Sequence, residues 1–425
     1  MRDAITFRYI PKEVRLDQLA DLDREFDICI VGSGPAGVIL AIDLAKAGYS
    51  TLIVESGFHP EGEAYDERID QLEVFQNRGN VNYPILESRF RGLGGTANLW
   101  TGRCPRLYPL DFEINAFTPD GVKWPLTYQE IEPYYGKAET TLRVRGGKLS
   151  KYNPPRNNDL PIPFGMDISF LKSLGDQIGL TIDDAPTSTG LNFMGRGPIV
   201  ISTDLLPEFS DLPQATVLSG VTATHLFAES DGTISGLEIK NLDQETRTVR
   251  AKQFVLAAGA FENARLLLLS HSERFPNGLG NENDLVGRHF SEHVSVIFHG
   301  TIQVAKPADR YEIARSVQYY EQFKQEGFGS IVLGISRDPK KPNEITISGG
   351  GEMKSHEDNR VTLSRDLDDY FGLPGTNLTF DFHEEDLETL DKTRLVIRDI
   401  YQRLGASQVR EEQQLHFSYH PMGTC

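Results

Sequence analysis

Apolar and polar positions change period several times along this chain of 425 residues, and each change marks an element. Phe26 to Val31 (FDICIV) is a short apolar, β-branched run entered from acidic sequence, the pattern of a strand buried on both faces. GSGPAG follows, then VILAIDLAKAG at helical spacing, then STLIVES as a second apolar strand. Together they predict one β-α-β unit with a glycine-rich first turn. Farther on, KWPLTYQEIEPYYGKAETTLRV predicts a turn and then a helix, with Thr127 and Glu130 at capping-box spacing and Pro125 before the cap. YNPPRNNDLPIPFG is dense in proline and marks a linker or surface loop. Strand-like alternation returns in ATVLSGVTATHLFAES, TISGLEIKN and RTVRAKQFVLAAGA, with a turn at Asp231-Gly232, and FENARLLLLS then reads as a helix. From Val294 to Leu415 long alternating runs (VSVIFHGTIQVA, SIVLGISRD, EITISGGGEMK, NRVTLSRD, TNLTFDFHEED) predict a largely antiparallel sheet, finished by a helix over Glu388 to Leu404.

Composition narrows the partners. Lys and Arg number 43 against 61 Asp and Glu, a net charge of −18. Such a surface repels phosphate backbones and anionic lipid, which excludes nucleic acid and membrane as expected partners. No apolar run approaches the roughly 18 residues of a membrane span. The opening stretch, MRDAITFRYIPKEVRLDQLADLDREFD, alternates charge with apolar residues and contains no signal-peptide core. Cys29, Cys104 and Cys425 lie far apart, without metal-ligand spacing, and Cys29 sits in an apolar run as a small buried hydrophobe. Cysteine usage fits a reducing compartment, so a cytoplasmic location is expected. Asp381, His383, Glu384, Glu385 and Asp386 form a charged cluster with no ligand spacing, which reads as a solvated helix entry. No metal is expected.

Chemistry enters with the glycines. G-x-G-x-x-G occupies Gly32, Gly34 and Gly37 between strand and helix. Gly32 permits the tight turn, Gly34 lets backbone approach a pyrophosphate, and Gly37 lets the helix pack closely on the strand. The helix amino end offers unpaired N–H groups to the anion. Glu55 closes the second strand about 20 residues on, where an acid bonds a ribose hydroxyl. This unit predicts dinucleotide binding without separating FAD from NAD, and Glu55 disfavours a 2′-phosphate. A second cluster, ESRFRGLGGTANLWTGRCPRLYPLDFE, packs Gly92, Gly94 and Gly95 against Thr96 and Trp100, with Arg91 beside them. Glycines this dense let backbone amides lie against a flat ligand.

That second stretch resembles the flavin-contacting segment of the glucose-methanol-choline oxidoreductases, nearest to the branch that includes pyranose oxidase. The G-G-x-x-x-x-W-T pattern maps onto Gly94, Gly95, Trp100 and Thr101. The resemblance implies FAD as cofactor, with Thr101 near the flavin N5 edge. Covalently flavinylated members carry a histidine before the tryptophan; Leu99 stands there in this chain, so the FAD is expected to be held without a covalent bond. The implied cofactor contacts are Gly32, Gly34, Gly37, Glu55, Arg91, Gly94, Gly95, Asn98, Thr101, Val221 and Ala258, with Val221 meeting adenine through its backbone. The segment GLGNENDLVGRHFSEH also resembles a family segment, and His293 at its end is expected to be structural.

The closing FSYHPMGTC matches the family's histidine, two residues, then Gly-Thr and often Cys, at His420, Gly423, Thr424 and Cys425. The implied role of His420 is a general base facing the flavin. Hydride leaves a carbinol readily only as the hydroxyl becomes an alkoxide, and imidazole accepts that proton near neutral pH. The family adds a further run with a partner for this base, so the chain is expected to be cut within its closing motif, with that partner beyond Cys425.

The expected fold class is α/β: a discontinuous Rossmann-like FAD-binding domain (1–110, 190–293 and 415–425) and a second, mainly antiparallel-sheet substrate domain (111–189 and 294–414). The expected activity is FAD-dependent oxidation of the CH–OH group of an alcohol, a sugar or glycoside among the options, with oxygen or a quinone-like acceptor taking the electrons. The alternatives are an inactive fragment or nucleotide-binding remnant, and another flavoenzyme class such as an NADPH-using hydroxylase.

Overall fold

The computed structural model describes residues 22–58, 66–113, 117–118, 122–190, 198–303 and 309–425. The stretch on which the absence of a leader was judged falls mostly in 1–21, outside them.

The expected β-α-β unit forms the centre of the first sheet. Strand β1 (Glu25–Val31) lies between β2 (Thr51–Glu55) and β7 (Thr246–Leu256), parallel to both. Cys29 and Ile30 are fully buried on opposite faces, as a strand covered on both sides requires. Helix α1 (Pro35–Lys46) packs Val38, Ala41 and Ile42 into the same core as Ile28 and Ile30. Cys29 and Val31 share the opposite core with Leu266 of α6 (Gly259–Leu269). The long β7 changes partner along its length. Its first half pairs antiparallel with β6 (Ile234–Asn241), its second half parallel with β1. With β4 (Ala215–Ser219) beyond β2 and β5 (Val221–Ala228) beyond β6, the order is β4-β2-β1-β7-β6-β5.

The second sheet is antiparallel, in the order β14-β8-β11-β10-β9: β8 (Val294–Thr301), β9 (Glu312–Ser316), β10 (Ile331–Arg337), β11 (Glu344–Gly351) and β14 (Ser407–Glu411). The short β15 (His416–Phe417) adds to the start of β8. Helix α8 (Glu384–Arg403) covers one face. A Cβ on Gly349 would lie 2.2 Å from the Thr393 methyl, so the bare backbone of β11 is what lets α8 approach. The acidic cluster is the first turn of α8: the His383 N–H donates to Asp386 at 3.0 Å, and acids there oppose the helix dipole favourably.

One expectation is corrected. The carboxyl-terminal runs do not make a single sheet: β12 (Arg360–Asp368) and β13 (Pro374–Thr379) pair with each other, and β13 pairs in parallel with β3 (Phe75–Asn77). Alternation marks a strand but carries no information on its partner. This third sheet therefore joins a segment expected in the cofactor domain to one expected in the substrate domain. The remaining helices are α2 (Tyr128–Thr141), with the Thr127–Glu130 capping box formed, α3 (Ser169–Ile178), the short α4 (Ile201–Asp204) and α5 (Leu206–Ser210), and α7 (Tyr320–Gln325). Among the described residues no helix is long and apolar enough to cross a membrane.

Candidate active site

At the carboxyl end of β1 the two glycine clusters meet. Gly32 has φ of +103°, and a Cβ there would sit 2.5 Å from the Ala257 carbonyl oxygen. A Cβ on Gly37 would sit 2.2 Å from the Gly32 carbonyl oxygen, so turn and helix are locked together. At Gly34, the cap of α1, a Cβ would meet nothing within 4 Å. No side chain caps that helix and no acid stands in its first turn, which leaves its amides to an outside anion. Gly95 opens a 3-10 turn (Gly95–Asn98), and its Cβ would lie 3.1 Å from the Gly34 Cα. The Gly94 N–H donates to the Ser33 hydroxyl at 3.0 Å. Two helical amino ends thus converge beside open space, a cradle that suits the pyrophosphate of FAD.

Other expected contacts mostly hold this cradle. Glu55 accepts from the Ser33 N–H (3.1 Å) and hydroxyl (2.8 Å) and from the Gly57 N–H (3.0 Å), so a ribose hydroxyl would share oxygens already in use. Val221 follows Gly220, whose N–H donates to the Gly57 carbonyl at 3.2 Å, which brings Val221 beside the Glu55 corner. Arg91 spends its guanidinium on protein: Glu73, Glu262 at 3.0 Å and the Ser56 hydroxyl at 2.8 Å. Asn98 bonds the Leu93 carbonyl (2.8 Å) and accepts from Ser202 (3.0 Å), and Trp100 donates to Ile199 at 2.8 Å. Ala258 caps α6, its N–H bonded to Asn263 at 2.8 Å. Leu99 and Thr101 are exposed.

His420 stands at the other end of the site. Its Nδ1 lies 3.1 Å from Nδ1 of His293, with the rings nearly perpendicular at 84°. Both backbone N–H groups donate to Glu292, His293 at 2.6 Å and His420 at 2.9 and 2.8 Å to its two oxygens. The Tyr83 hydroxyl donates to the same carboxylate at 2.6 Å. Glu292 is fully buried, and burial raises its pKa. Burial and then the neighbouring His420 lower His293 to about 4, so it stays neutral at physiological pH. The surrounding protein, and then the positive charge of Arg103, hold His420 below the usual 6.5, although the residue opens to solvent at one edge.

Among the described residues, His420 has a neighbour whose contact with it the sequence did not foretell. His293, expected to be structural, touches His420 directly. Glu292, Tyr83 and Arg103 were not foreseen either. The only signal was positional: His293 immediately precedes an alternating strand whose pairing with the closing segment the sequence does not display. Ligand atoms of Glu292, His293 and His420 lie within 4.8 Å of one another, a grouping that linear spacing did not anticipate. Glu292, however, devotes its oxygens to Tyr83 and two amides.

Both ends belong to one site. The Thr424 hydroxyl donates to the Ala260 carbonyl on α6 at 2.6 Å, and the Gly287 N–H donates to the Thr424 carbonyl at 2.7 Å. A Cβ on Gly423 would lie 2.0 Å from the His289 carbonyl oxygen. Since α6 starts just after Ala257, which packs on Gly32, the closing segment sits at the same edge of the parallel sheet as the glycine turn.

The amino-terminal unit, residues 30–86, matches a family model described as an NAD(P)-binding Rossmann-like domain, and residues 202–295 match that of GMC oxidoreductase. The chain is 23% identical to the fructose dehydrogenase large subunit of Gluconobacter japonicus, with 90% of this chain and 84% of that one covered. It is 25% identical to paromamine 6'-oxidase of Streptomyces fradiae, with 95% and 82% covered. In sequence the chain is thus similar to the GMC oxidoreductases, most directly over residues 202–295. The crystal structure of pyridoxine 4-oxidase from Mesorbium loti shares the fold of this protein, with a TM-score of 0.62 and 18% identity over 94% of this chain and 89% of that one. These similarities indicate FAD as the cofactor, and the cradle fits it.

Proposed function

We propose that this protein is a GMC oxidoreductase that oxidises the CH–OH group of a sugar-like alcohol with His420 as general base and His293 as the residue that positions it. The observation that carries this reading is the 3.1 Å contact between the two Nδ1 atoms. One of the two must donate and the other accept. His293, held neutral by burial, accepts the Nδ1–H of His420, which leaves the His420 Nε2 lone pair for the substrate hydroxyl. Glu292 keeps both backbones in place by accepting their amides. Bound FAD supplies the acceptor for the hydride. Base assistance of this kind contributes about 10²–10⁴ in rate, or about 3–5 kcal/mol.

Relatives named as dehydrogenases of fructose and of 2-methyl-1,2-propanediol, and as an oxidase of paromamine, support a polyol or glycoside as substrate. Both kinds of name leave oxygen and a quinone-like compound as acceptors. Leu99 has no nucleophilic atom, so FAD binds without a covalent bond to that position. Three free cysteines suit a reducing compartment such as the cytoplasm. In the test, His420→Ala retains the yellow cofactor while its reduction by substrate slows about 10²–10⁴-fold. Undiminished reduction would remove His420 from the mechanism.

A further inference from the structure

Among the described residues, the buried Arg106, Arg265 and Arg337 face carboxylates, and Arg315 does not. Arg315 on β9 is only 6% exposed, yet no carboxylate among the described residues lies within ion-pair distance of it. Its Nη2 donates to Asn153 at 2.6 Å, and its Nε is buried with no partner. Asp183, whose backbone pairs with Arg315, commits its oxygens to Ser150 (3.0 and 2.5 Å) and Asn153 (2.7 Å). The neighbouring Tyr108 hydroxyl is likewise buried and without a partner. Arg103 stands nearby with no ion pair among the described residues. Its backbone is pinned on both sides, by Ser188 to Gly102 (2.7 Å) and by Cys104 to Pro186 (2.8 Å). Surrounding protein lowers the pKa of both arginines, Arg103 included although it is open to solvent on one side, and the Arg103 charge is felt at Arg315 and at His420 alike.

Strand register puts Arg315 and the histidine pair on one face. Arg315 pairs with Gly334, Gly334 with Ser348, and Ser348 with Ile297. Side chains alternate along β8, so Ile297 and Ser295 share a face with His293, where pairing continues to Ser291. From His293 to Arg315 is four residues along and three strands across, about 13 Å by about 14 Å between backbone positions. The face between carries Ile297 and Val332 together with hydroxyls and bare backbone at Ser295, Ser348, Gly350 and Gly334. Once both side chains reach inward, that span matches a hydroxylated molecule several carbons long.

We propose that Arg315, Arg103 and Tyr108 form an anion-binding subsite that holds a carboxylate or phosphate of the substrate while His420 addresses a hydroxyl at its other end. This rests on the alcohol-oxidation reading. A buried guanidinium without a counter-charge is costly, and an oxyanion accepting from Arg315 and Tyr108 satisfies both orphaned donors at once.

The test uses the FAD-loaded protein with D-gluconate and D-glucose 6-phosphate, each against neutral D-glucose. Stopped-flow flavin reduction and calorimetric binding are both read. The expected result is at least about tenfold tighter binding of one anion than of glucose, lost in Arg315→Met and in Arg103→Met. Which anion is preferred identifies carboxylate or phosphate. Arg103 is exposed, so its variant serves if Arg315→Met fails to fold. Equal binding of anion and neutral sugar, or a preference the variants keep, overturns the subsite. Tight anion binding without flavin reduction by any sugar supports the subsite and counts instead against the alcohol-oxidation reading.

Discussion

Arg106 and Arg315 are both buried arginines, in opposite circumstances. Arg106 gives Nε and Nη2 to Glu139 (2.9 and 2.8 Å) and Nη1 to Glu132 (2.7 Å), fork against fork. Arg91 and Arg89 share Glu73 and Glu262 in the same manner. Arg315 holds one amide oxygen and leaves Nε empty. Closed networks join segments distant in sequence and have nothing left to offer a ligand. An open one keeps its donors for a molecule that arrives later, and the protein bears the burial cost until then.

This contrast can be broken experimentally. The largest effect is expected at Arg106→Met, which leaves buried Glu139 to Arg156 and buried Glu132 to Asn157 and should cost about 3–5 kcal/mol in urea unfolding. Arg315→Met removes a charge that has no partner, so stability should move by no more than about 1 kcal/mol in either direction. A loss there as large as that of Arg106→Met would erase the distinction. Arg103→Met tests reach toward the base. The base works unprotonated, so flavin reduction rises with pH through a His420 pKa below 6.5 and then levels. Removing the Arg103 charge raises that pKa toward 6.5, and the acid limb of the rate profile should move to higher pH by a fraction of a unit. An unmoved limb would separate Arg103 from His420. The exposed pair Lys46–Glu208 serves as the low end of the scale: Lys46→Met should change stability by less than about 1 kcal/mol.

How much was legible follows from distance along the chain. The β1–turn–α1–β2 unit, the Thr127–Glu130 cap and the entry of α8 all rest on groups within a few residues of one another. Apolar period, glycine placement and capping chemistry encode such features directly. The tight turn at Gly32 and the close helix approach at Gly37 were readable for that reason. His420 was marked by its motif, but its partner was not, because His293 lies 127 positions away. Nor could alternation tell that β12 and β13 stand apart from the large antiparallel sheet and join β3.

Local sequence therefore settles which segments are strands and helices, where the glycine turn lies, and which histidine the closing motif marks. Tertiary structure alone decides that Gly95 rests on Gly34, that two imidazoles share a proton position, and that Arg315 is left without a carboxylate. The physical reason is the same in each case. Backbone period and caps act over one turn or one strand, whereas electrostatic pairing is decided by whichever chain segments packing brings within a few ångströms.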